Sequence, residues 1–99
     1  MIKFKVGKYY CLDYKKALKT YDVLTWPAFK YELELFKKGP VKCVEAEYYH
    51  KIFYNKSDFV YTLMFEGSKT GSWGYTKSLI SCFREKNSYA QEEMDIWKF

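Results

Sequence analysis

The sequence predicts a small α+β domain: a three- to five-stranded antiparallel sheet, open or curled into a small barrel, carrying two or three short helices. Three observations lead there. Runs in which apolar and polar residues alternate occupy much of the chain, as in half-buried strands. Short apolar stripes at helical spacing interrupt those runs. Turn residues then divide the chain at close intervals, with no linker or repeat between them. The length of 99 residues is that of one domain, read as residues 1–99.

Ile2, Phe4 and Val6 alternate with Lys3 and Lys5, which predicts a first strand ending at a bend on Gly7. Lys8 to Leu12 resumes as extended chain. Asp13 is placed to cap a helix. Tyr14, Ala17, Leu18 and Tyr21 follow at i, i+3, i+4 and i+7, so a helix is expected over about 14–22. Trp26-Pro27 ends that pattern, because the residue before proline avoids helical angles.

From Ala28 the alternation is strict. Phe29, Tyr31, Leu33 and Leu35 fall on one side, Lys30, Glu32 and Glu34 on the other, and the period outweighs the helix propensity of Glu and Leu in favour of a strand. Lys38-Gly39-Pro40 is a turn. Val41 to Tyr54 reads as a long strand whose parity slips at Cys43-Val44, as at a bulge. After a turn at 55–58, Phe59 to Phe65 is a strand with Phe59, Tyr61, Leu63 and Phe65 on one face; the two strands form the strongest hairpin in the chain. A glycine-rich loop spans Gly67 to Gly74. Tyr75, Leu79, Ile80 and Phe83 beyond it fit a helix or a short strand. Ser88 and Gln91 have capping-box spacing ahead of an apolar stripe of Ala90, Met94 and Trp97.

Composition bounds the function. The net charge is +5, with an excess of four in the first third, where seven lysines meet three acids. Arg84 is the lone arginine among seventeen basic residues. Arginine supplies the planar fork that reads base edges and phosphates, so its scarcity argues against sequence-specific DNA reading, while lysine attraction to a phosphate backbone stays open. Cys11, Cys43 and Cys82 are far apart in sequence and His50 is the only histidine. That pattern lacks the paired ligands of a zinc site and predicts reduced, buried thiols, no metal and no cofactor. No apolar run has membrane-spanning length, and the lysines of the first six residues interrupt any signal-peptide core, so a cytoplasmic protein is expected.

Catalytic constellations are weak. His50 sits between tyrosines in a strand, with no nucleophile signature nearby. Glu45 with Glu47, and Glu32 with Glu34, read as solvated strand faces rather than glycosidase pairs. Gly67-Ser68-Lys69-Thr70 matches part of a phosphate-binding loop, but Thr62 stands where the first glycine belongs, and the segment reads as a hairpin loop. The expectation is a protein without catalytic residues.

The aromatics carry more. They form 22% of the chain. Phe4, Phe29, Tyr31, Phe59, Tyr61, Phe65 and Phe83 are assigned to the core by their spacing. Tyr10, Tyr48, Tyr49, Tyr54, Trp73 and Trp97 remain as candidates for an exposed protein-binding surface. The alternative is a nucleic-acid-binding surface of Lys3, Lys5, Lys8, Lys15, Lys16 and Lys19 with neighbouring tyrosines.

Phe4-Lys5-Val6-Gly7-Lys8-Tyr9-Tyr10 resembles the opening of small SH3-like β-barrel proteins common among tailed-phage accessory genes, whose first strand reads F-x-V-G-x-x-Y. Trp73 with Tyr75, Leu79 and Phe83 resembles their closing tryptophan and apolar segment. The stretch Asp13 to Trp26 departs as an insertion, and a C-terminal helix would be an addition. The resemblance implies a small protein made during infection that binds and inhibits a host nucleic-acid-handling or defence protein. It carries over no site residues.

Overall fold

The structure, a computed structural model, describes residues 2–49 and 59–86. Among these residues are five strands: β1 (Tyr9–Leu12), β2 (Val41–Tyr48), β3 (Phe59–Phe65), β4 (Trp73–Thr76) and β5 (Phe83–Glu85). All pair antiparallel in the order β4-β3-β2-β1-β5. β4 and β5 are the edges, and the sheet is open rather than closed into a barrel. Four short helices accompany it: α1 (Tyr14–Ala17), α2 (Tyr21–Thr25), α3 (Phe29–Leu33), which runs on into a 3-10 turn over Glu34–Lys38, and α4 (Lys77–Ile80). The expected α+β class is the one adopted.

β2 and β3 pair antiparallel as expected; the described strand β2 ends at Tyr48, and the expected continuation to Tyr54 with the turn at 55–58 lies outside the described residues. Ala46 pairs with Leu63 and Tyr48 with Tyr61, and the register shifts between Cys43 and Glu45, where the parity slips. Tyr61, Leu63 and Phe65 are buried, while Thr62 and Met64 on the other face are half-buried beside exposed Glu45 and Glu47. Val60 is buried as well, so that outer face is partly covered at one end.

Phe65 is the hub of the core. Its ring lies 5.7 Å from Phe83 in a parallel stack and 4.8 Å from Phe36 edge-on. Phe4 closes the cluster against Tyr10, Tyr61 and Phe83. The helical layer between β1 and β2 packs on this face through Phe29, which meets Tyr75, and through Phe36.

Three expectations change. Residues 2–6 are not a strand. Phe4 turns inward, but Val6 is exposed, and the segment lies across Tyr10, whose hydroxyl accepts from the Lys5 N–H at 2.8 Å and donates to the Lys3 carbonyl at 3.1 Å. The bend at Gly7 does occur, with φ of +91°. The helix expected over 14–22 is two helices. Asp13 caps the first by accepting from the Lys16 N–H at 3.2 Å. Thr20 then takes extended angles and starts α2, which rotates Tyr21 outward.

The third change is the largest. The expected strand from Ala28 to Leu35 is helical. Phe29, Glu32, Leu33 and Phe36 are the buried residues, at i, i+3, i+4 and i+7. Tyr31, assigned to the core by alternation, is exposed. The alternating residues Phe29 and Leu33 are also four apart, so the same positions fit both periods; Phe36 decides for the helix, and helix propensity agrees. Gly39, at φ +128°, ends the 3-10 turn where the turn is expected.

Candidate functional site

The helical corner from α2 to α3 exposes what most of the fold hides. Tyr21 is 66% exposed, Leu24 70%, Trp26 65% and Tyr31 71%, all within eleven consecutive residues. The cause is local. On α2, Asp22 and Val23 face inward, so Tyr21 and Leu24, three apart, share the outer face. Pro27 keeps Trp26 out of helical angles (φ −126°, ψ 82°), so the helix stops there and the Trp26 side chain is left exposed. On α3 the inward positions are taken by Phe29, Glu32 and Leu33, which leaves Tyr31 outside.

Two buried carboxylates tie this corner to the β3–β4 side. Asp22 accepts from the Thr76 N–H at 3.0 Å and the Thr76 hydroxyl at 2.5 Å. Glu32 accepts from the Ser68 hydroxyl at 2.8 Å and the Thr70 hydroxyl at 3.4 Å. Thr70 in turn accepts from the Trp73 indole N–H at 2.7 Å. Burial pushes the Glu32 carboxyl above its ordinary range, against the pull of those two hydroxyls. Its second oxygen, Oε2, is buried with no hydrogen-bond partner, as is the Tyr75 hydroxyl. Burial first, and then the Glu32 charge, hold Tyr75 well above its ordinary phenol value. Glu32 lines a cleft of about 450 Å³ between α3 and the 67–70 loop, with Tyr31 at its rim.

That loop joins two strands, so it lacks the strand-to-helix setting of a phosphate-binding loop. Two of its hydroxyls are committed to a carboxylate, which would repel phosphate.

The aromatic candidates are dispersed. Tyr10 is completely buried and is part of the core, not of a surface. Trp73 is half-buried, with its ring 4.6 Å from Phe29. Tyr48 is exposed beside Tyr61, and Tyr49 is half-buried against Phe59. Tyr54, Trp97 and His50 lie outside the described residues, as does the segment of Ser88 and Gln91. The six lysine candidates are all exposed, but in two groups. Lys3, Lys5 and Lys8 precede β1, and Lys15, Lys16 and Lys19 follow it.

Sequence reasoning missed Tyr21, Leu24, Trp26 and Tyr31 as surface residues. The signal was present in the proline after Trp26 and in Phe36, which fits only the helical period.

The three thiols are buried, and burial raises each, Cys43 to about 11, so they are protonated at neutral pH. Among the described residues no group of three metal-ligating side chains comes together, and no helix is long and apolar enough to cross a membrane. No protein-family model, curated protein or solved structure matches the chain.

Proposed function

We propose that this chain is a non-enzymatic binding protein whose helical corner docks on a partner protein. The observation that carries the reading is the exposure of Tyr21, Leu24, Trp26 and Tyr31 together. Large apolar groups lose favourable burial when left in water, and tyrosine and tryptophan are the commonest energetic anchors of interfaces. The raised thiols support a role outside nucleophilic chemistry. Following the resemblance of the opening segment, the proposed setting is the host cytoplasm during phage infection, and the proposed effect is inhibition of a nucleic-acid-handling or anti-phage defence protein.

The test is affinity capture from nuclease-treated bacterial lysate with wild-type and Trp26→Ala baits. The wild type should retain a stoichiometric protein, and the variant should lose it through a drop of about 2 kcal/mol or more. Absence of any stoichiometric protein on the wild type refutes the reading.

A second reading, direct nucleic-acid binding, is favoured by the exposure of Lys15 and Lys16 on α1 and of Lys19 in the turn just after it. It predicts that affinity for single-stranded DNA or RNA falls by about 0.7–0.9 log units per log unit of salt for each phosphate contacted. A salt-independent or undetectable interaction removes it.

A further inference from the structure

The helical layer, residues 14–38, contains six lysines and three acids. Two of its three acids are turned away from solvent. Asp22 and Glu32 are each only 4% exposed, and both accept hydrogen bonds from the β3–β4 side of the molecule. Glu34 stands 3.9 Å from Lys37. Lys15, Lys16, Lys19 and Lys30 are exposed and form no ion pair among the described residues. The outward charge of this layer is therefore far more positive than its composition suggests. The same layer carries Tyr21, Leu24, Trp26 and Tyr31, the most exposed large apolar side chains among the described residues.

From this juxtaposition we infer that the partner of the helical corner is an acidic protein surface that also offers apolar groups. This rests on the docking reading above and adds the chemistry of the partner. Positive charge around an apolar centre attracts an acidic surface at long range and sets its orientation, and the aromatics are then buried on contact. The anchors favour protein over nucleic acid. Leu24 has no π-face on which a base could stack, and the layer contains no arginine. The three rings of this corner also stand on helices and their connection rather than on a sheet face.

A series of synthetic peptides tests this. Each keeps two leucine anchors, while the remaining positions step from glutamate to lysine; an oligothymidylate serves as the nucleic-acid arm. Backbone amide shifts are followed in the wild type, in the combined Lys15→Gln, Lys16→Gln, Lys19→Gln and Lys30→Gln variant, and in Trp26→Ala, with circular dichroism to establish that each variant folds. The glutamate-rich peptide should shift amides over residues 19–31. Its affinity should fall roughly tenfold in the lysine variant and again as salt is raised. Trp26→Ala should lower it at any salt. A response that is flat across the peptide series, or tighter binding of the oligothymidylate at the same amides, overturns the inference. If the series is flat while capture from lysate still depends on Trp26, the docking face stands and the acidic partner does not.

Discussion

The β2–β3 hairpin and the helical layer treat their aromatic residues in opposite ways. In the hairpin, Tyr61, Leu63 and Phe65 on the period-two face go inside, and Phe65 meets the rings of Phe36 and Phe83, while Tyr48 at the end of β2 stays exposed. In the helical layer, Tyr21 and Tyr31 lie on the periodic pattern yet face water. Its inward positions include two carboxylates, held by hydroxyls from the opposite side of the molecule. The buried part of the hairpin's pattern is thus explained by folding alone. The helical layer's pattern is explained by folding only in part, and the unexplained part is an exposed apolar, basic surface. That residue is where a binding function has room to reside.

The contrast can be attacked by substitution, beginning with the core. Phe65→Ala removes the ring that joins both layers and should destabilise by about 3–5 kcal/mol in denaturant unfolding. A loss below that range would mean the hairpin is not the stabilising centre. Asp22→Ala breaks the tie to Thr76 and leaves that N–H without its acceptor, so about 2 kcal/mol should be lost. A neutral result would detach the corner from the sheet energetically.

Glu32→Gln should act in the other direction. The native carboxyl is raised by burial, so the folded state binds a proton more tightly than the unfolded chain. This group's contribution is then most favourable below the unfolded carboxyl value of about 4.5, and it weakens as pH rises through the higher folded value. Glutamine removes the buried charge and keeps an oxygen for Ser68. The variant should gain about 1 kcal/mol at neutral pH, and the gain should shrink towards pH 4. A loss at neutral pH would show that the ionised carboxylate stabilises the corner. Leu24→Ser comes last: an exposed position should change stability by no more than about 0.5 kcal/mol, whereas a larger loss would mean Leu24 is packed.

How much of this was legible follows from the same contrast. The hairpin, its bulge at Cys43, the cap at Asp13 and the turn at Gly39 are local features, each written in a few adjacent residues. The segment Phe29 to Phe36 was not, because positions two and four apart satisfy strand and helix together, and tertiary contacts with Tyr75 and Phe65 select the helix. The surface was least legible. Tyr10 has strand spacing like any other tyrosine, and only the 2–6 segment laid across it, with Phe4 against its ring, makes it interior. The burial of Glu32 likewise depends on Ser68, thirty-six residues away in sequence.

Hydrogen exchange on the captured complex decides where the partner sits. Docking on the helical corner predicts slowed exchange over Tyr21 to Tyr31 and unchanged exchange on the outer face of β2 and β3. Protection of Glu45 to Tyr48 and Thr62 to Met64, with residues 21–31 unaffected, would contradict it.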